Sequence, residues 1–102
     1  MIYMVDIDGT ICSVHLDENN DVDYSKSQPF VDRIEKMNKL YDEGHEVHYY
    51  TARGSASGID RSEITNKQMK EWGVKYTSLT LKKPHYHLWI DDKAINSEDF
   101  FK

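Results

Sequence analysis

The chain has 102 residues, enough for one compact domain over 1–102 and too few for two. Its hydrophobic content of 38% and aromatic content of 12% supply a core and argue against disorder. Thirteen basic against eighteen acidic residues leave a net charge of −5, which argues against nonspecific nucleic-acid or anionic-membrane binding. That balance leaves a phosphorylated substrate open if local cations offset the charge.

The first predicted element is a strand, Ile2 to Ile7, which runs into Asp6-Ile7-Asp8-Gly9-Thr10. An extended strand points residues i and i+2 to one side, so Asp6 and Asp8 can face one small site together. Two carboxylates that close repel, and either a proton or a cation must settle the pair. The polar segment Cys12 to Gln28 follows, with turn-forming acids Asp17 to Asp21 at its centre, and predicts a small hairpin or flap. Pro29 then opens a helix carrying Phe30, Ile34, Met37 and Tyr41 at helical spacing, and Gly44 stops it.

Glu46 to Thr51 reads as a second strand, followed by a loop from Ala52 to Ile59. Asp60 and Glu63 make a capping-box-like start to a second helix, which carries Ile64, Met69 and Trp72 and ends at Gly73. Val74 to Leu81 holds a third strand. His87-Leu88-Trp89-Ile90 predicts a fourth, ending at Asp91-Asp92. The tail, Lys93 to Lys102, predicts a short helix with Phe100 and Phe101 folded back.

Strands alternating with helices imply an α/β fold, a three-layer α/β/α sandwich around a central parallel sheet. In such sheets ligands bind beyond the carboxyl ends of the strands. Every suspicious polar group lies at such a position: Asp6 and Asp8, Thr51 and Arg53, Asp91 and Asp92, with Lys82 and Lys83 just before strand four.

With these residues in place the chain resembles the haloacid dehalogenase (HAD) superfamily of phosphohydrolases. The first motif of that family, Asp-x-Asp-x-Thr, matches Asp6, Asp8 and Thr10. The second, a Thr ending a hydrophobic strand, matches Thr51. The third, a Lys, matches Lys83 before Pro84, with Lys82 as the fallback. The fourth, an acid pair ending a strand, matches Asp91 and Asp92.

The resemblance implies a Mg2+-dependent phosphomonoester hydrolase. Asp6 would attack phosphorus and form an aspartyl-phosphate. Asp8 would protonate the leaving alcohol and then activate water. Mg2+ would be held by Asp6, the Asp8 carbonyl, Asp91 and Asp92. Gly9, Thr10, Thr51, Ala52 and Arg53 would face the substrate phosphate, and Lys83 would neutralise charge. A carboxylate approaching a phosphate dianion needs surrounding cations, and Mg2+ favours hard oxygen ligands. Arg53 has two readings of its own: a bidentate phosphate donor, or a loop arginine paired with Asp60 or a helix end.

The intervals between motifs leave no room for a cap domain, so the site should be open, covered if at all by a second copy of the chain. By analogy with capless relatives the substrate is a phosphorylated small molecule such as a sugar phosphate. The alternative is a polynucleotide 3′-phosphatase, against which the acidic balance and lack of a basic stripe argue. A non-catalytic Mg2+/phosphate-binding module is the remaining alternative. A receiver-like phospho-acceptor is disfavoured, because strand two ends in Thr51 rather than an acceptor Asp.

The single Cys12 precludes an internal disulfide and fits a reducing compartment. No stretch nears the ~20 apolar residues of a membrane span. The N-terminus enters a strand at once, leaving no room for a signal peptide. Together these predict a cytoplasmic protein. Cys12 also lacks an adjacent His or Lys that would make it a nucleophile.

Overall fold

A computed structural model describes residues 1–102 throughout. Three parallel strands, β1 (Ile2–Val5), β2 (Glu46–Tyr50) and β3 (Ser78–Thr80), lie side by side in that order. Ile2 pairs with Glu46 and Val5 with Tyr49, and His48 pairs with Ser78. Two helices make the crossovers, α1 (Val31–Asp42) and α2 (Ser62–Glu71), and a single turn, α3 (Ser97–Phe100), closes the chain.

Period-2 alternation selects the buried strand face. Val5, Val47 and Tyr49 point inward, and the side chains of Ile34, Met37 and Met69 from the two long helices join them in one core with Ile7, Ile11 and Cys12. Phe100 of α3 packs edge-on to Tyr3, on the same side of β1 as Val5. The opposite face is most open at β1, where Ile2 is 66% exposed and Met4 61%. The structure therefore carries the expected parallel sheet with helices on one face, and no second helical layer.

Three further departures from the sequence reading concern individual elements. Helix one begins at Val31, not Pro29, because the segment before it is bound to the flap root: the Phe30 N–H donates to the Ile11 carbonyl at 2.8 Å, and Pro29 bridges Cys12. Strand three lies within the expected segment Val74 to Leu81 but occupies only Ser78–Thr80 of it.

The third miss concerns the predicted strand His87–Ile90. It is irregular, with Leu88 76% and Ile90 87% exposed. Local contacts occupy this segment instead of a ladder. Tyr86 and Trp89 meet edge-to-face at 5.0 Å, and both rings receive the Lys83 ammonium, at 5.0 and 5.5 Å.

The flap is a loose hairpin with one bridge, Leu16 to Val22. Its turn is held by Asp17 Oδ1, which accepts the N–H groups of Asn19 and Asp21. No helix is long and apolar enough to cross a membrane.

Candidate functional site

β1 delivers Asp6 and Asp8 at its carboxyl end. Ile7 between them is fully buried, while Asp6 and Asp8 are both partly open to solvent. The chain turns at once: Gly9 takes φ +76°, a backbone conformation that disfavours side chains, and the Ile7 carbonyl accepts the N–H groups of Thr10 and Ile11.

The repulsion expected between the two acids is settled by two cations, one for each. Lys83 Nζ stands 3.9 Å from Asp6 Oδ1, its side chain only 13% exposed. Burial holds the Asp6 carboxyl above its ordinary value, and the Lys83 ammonium offsets only part of that rise. Lys82 is solvent-exposed, so Lys83 is the lysine at this site.

Asp8 is held differently. Arg53 grips it with two hydrogen bonds, Nε to Oδ2 at 3.0 Å and Nη2 to Oδ1 at 2.9 Å. The Arg53 side chain is wholly buried. Its Nη1 donates to Thr65 Oγ1 at 3.1 Å and to Gln68 Oε1 at 2.6 Å, and the guanidinium lies 4.6 Å from the centre of the Tyr24 ring. Gln68 Nε2 in turn donates to the Tyr24 carbonyl at 2.6 Å, which fastens the flap to α2. Removing Asp8 would leave the wholly buried Arg53 guanidinium without its counter-charge, a cost of about 3–5 kcal/mol.

This arrangement matches neither of the two expected readings of Arg53. It pairs with neither Asp60 nor a substrate-facing surface, but with Asp8. Asp60 instead accepts the Ser62 N–H at the start of α2.

Thr51 is likewise buried. Its Oγ1 accepts the Arg53 N–H at 3.2 Å, and its carbonyl accepts the Lys83 N–H at 3.2 Å. Thr51 thus ties together the two segments that carry the two cations. Ala52 is partly buried between Thr51 and Arg53, and just past the β1 end Gly9 is exposed and Thr10 partly buried.

Asp91 and Asp92 do not join the first pair. Both are exposed, and no group of three acidic, histidine or cysteine side chains stands close enough to hold a metal. Asp91 Oδ1 accepts the Lys93 N–H at 2.9 Å, a bond that lowers its pKa. The separation follows from the missing fourth strand, which alone would have carried the pair to the sheet end. What remains near the β1 end is the Asp6 carboxylate and the Asp8 backbone carbonyl. Both are hard oxygens, the ligand type Mg2+ takes, and that ion commonly binds one or two carboxylates and completes its shell with water and phosphate.

Three members of the site escaped the sequence reading: Tyr24, Thr65 and Gln68. A signal existed for the last two. Thr65 and Gln68 share a helix face with Met69, and polar residues on an apolar face need a buried partner. Cys12 lines the site without reactivity. Its Sγ lies 3.5 Å from Asp8 Oδ1, and burial followed by the Asp8 charge pushes the thiol up to about 12.

No family model matches the chain, and no curated protein matches it. The fold is similar to the crystal structure of an MCSG target protein from Vibrio cholerae, with a TM-score of 0.80 at 26% identity over 98% of this chain and 86% of that one.

Proposed function

We propose that this chain is a phosphomonoester hydrolase of the HAD type, a capless cytoplasmic enzyme whose parallel sheet is the core of an HAD-like fold. The observation that carries the proposal is the pair Asp6 and Asp8 at one strand end, each with its own cation, Lys83 at 3.9 Å and Arg53 at 2.9 Å. Two carboxylates in unlike surroundings suit two unlike roles.

In this reading Asp6 attacks phosphorus and becomes an aspartyl-phosphate as the bond to the alcohol oxygen breaks. The proton on Asp8 goes to that oxygen. Water then attacks phosphorus, gives its proton to Asp8, and releases Asp6 and phosphate. Lys83 balances charge at Asp6, and Gly9, Thr10 and Ala52 border the place where the phosphate would lie. Mg2+ is the proposed cofactor, held by Asp6 and the Asp8 carbonyl. When bound it would supply positive charge against the phosphate oxygens. The proposed substrate is a phosphorylated small molecule such as a sugar phosphate.

The test is phosphate release from sugar phosphates, nucleotides and a 3′-phosphorylated oligonucleotide, with Mg2+ or with EDTA, by the wild type and Asp6→Asn. We expect Mg2+-dependent release that the variant loses, greatest on sugar phosphates. Faster release from the oligonucleotide would move the reading to a polynucleotide 3′-phosphatase. Release from none of them, by folded protein, would leave a non-catalytic binding module. An Asp6→Asn protein that still turned over would sink the nucleophile assignment.

A further inference from the structure

We propose that Arg53 is a positioning residue. It sets the orientation of the Asp8 carboxyl and assigns its proton transfers to one oxygen, Oδ2. The inference rests on the phosphohydrolase reading above and adds to it a residue that touches neither the phosphate nor the reacting atoms.

The argument begins with the donors of the guanidinium. Arginine has five N–H bonds in a rigid plane. Two go to Asp8, one to Thr65 and one to Gln68. The last is directed toward Cys12 Sγ at 3.9 Å. None is left for a substrate, and the side chain has no exposed surface. The stacked Tyr24 ring and the Gln68 bond to the Tyr24 carbonyl close the remaining side. Arg53 therefore acts only through what it holds.

What it holds is a carboxyl group whose two oxygens differ. Oδ1 receives two donors, Arg53 Nη2 at 2.9 Å and the Cys12 thiol at 3.5 Å. Oδ2 receives one, Arg53 Nε at 3.0 Å. A carboxyl oxygen has two lone pairs, so Oδ2 alone keeps one free of the protein. Oδ2 is the oxygen that carries the proton to the departing alcohol oxygen as the P–O bond breaks. It then takes the proton from the water whose oxygen bonds to phosphorus. The fork of Arg53 prevents rotation of the carboxyl plane that would exchange the two oxygens, a constraint a lysine at this position could not impose.

The test separates this role from bulk stability by the leaving group. 4-Nitrophenolate departs without a proton, whereas a sugar alkoxide needs one. First-turnover release of 4-nitrophenol and of the sugar alcohol would be measured from 4-nitrophenyl phosphate and a hexose 6-phosphate. The wild type would be compared with Arg53→Lys and Gln68→Ala, each checked by circular dichroism. We expect Arg53→Lys to slow the sugar ester by roughly 10²-fold or more and the nitrophenyl ester by less than about tenfold. Gln68→Ala, which leaves both Arg53–Asp8 bonds in place but removes a prop behind Arg53 and the tie to the Tyr24 carbonyl, should lower the sugar-to-nitrophenyl rate ratio in the same direction by a smaller factor. It decides the matter if Arg53→Lys does not fold. An unchanged ratio, whether both rates fall together or neither falls, overturns the positioning role and leaves the phosphatase reading standing. A wild type inactive on both esters overturns that reading, and this inference with it.

Discussion

Two acid pairs of almost identical composition stand in opposite circumstances in this molecule. Asp6 and Asp8 sit at the end of a paired strand, half-covered, each against a cation that itself is largely or wholly buried. Asp91 and Asp92 end a segment that pairs with no strand, and both are open to water. Sequence treats the pairs alike. The comparison teaches that a carboxylate becomes a chemical group through what desolvates it and what charge stands beside it, and those are supplied by residues dozens of positions away. Arg53 lies 45 residues from Asp8, and Lys83 lies further still from Asp6.

The strongest way to break this comparison is mutation of one acid from each pair. On the proposed phosphohydrolase reading, Asp6→Asn should lower phosphate release by roughly 10³-fold or more, as loss of a nucleophile does. Asp91→Asn should cost less than about tenfold if the second pair stays apart. Steady-state turnover of both variants in Mg2+ checks this. Equal losses would mean that Asp91 reaches the first pair when metal and substrate are bound.

Stability offers the next test. Tyr49 is the largest fully buried side chain of the sheet core, so Tyr49→Ala should destabilise by about 3–5 kcal/mol. Leu88→Ser, in the exposed segment, should change stability by no more than about 0.5 kcal/mol. Urea melts of the two variants decide it, and a loss above about 2 kcal/mol for Leu88→Ser would mean that the segment packs as a strand. Within the core itself Tyr49 hides a smaller effect. Its hydroxyl is buried without a partner, so Tyr49→Phe should raise stability by about 1 kcal/mol. A melt showing destabilisation would place an ordered partner on that oxygen.

The smallest expected signal is chemical. With the Cys12 thiol pushed up to about 12 and no exposed surface, iodoacetamide at neutral pH should leave the folded protein unmodified and label it only in denaturant. Labelling of the folded protein, read by mass spectrometry, would mean that the wall behind Asp8 opens.

The order of strands and helices up to residue 80 was legible in the chain, and the reason is local. The predicted strand Glu46 to Thr51 corresponds to Glu46–Tyr50, and the helix stopped by Gly44 ends at Asp42, because apolar spacing and a turn glycine act within a few residues. The tail turn and the return of Phe100 and Phe101 to the core were legible for the same reason. The predicted strand at His87 to Ile90 shows where such reading stops. Four residues of strand-forming type become a strand only if an edge receives them, and here Tyr86 and Trp89 engage Lys83 instead.

The site divides along the same line. Asp6, Asp8 and the motif lysine could be named from residue type and order. The choice of Lys83 over Lys82 needed the folded chain, since one residue reverses the direction of a side chain. Arg53 could be singled out but not understood, because its four side-chain hydrogen-bond partners, Asp8, Cys12, Thr65 and Gln68, come from two other segments.

By itself, the sequence determined that this chain forms parallel β-α units and that it ends its first strand in two carboxylates. Periodicity and turn chemistry act over a few residues and need no partner. Only the tertiary structure decided which cation each carboxylate receives, which oxygen of Asp8 is left free, and that the second acid pair stands apart. Desolvation and Coulomb interactions act through space, between groups whose separation along the chain says nothing of their distance.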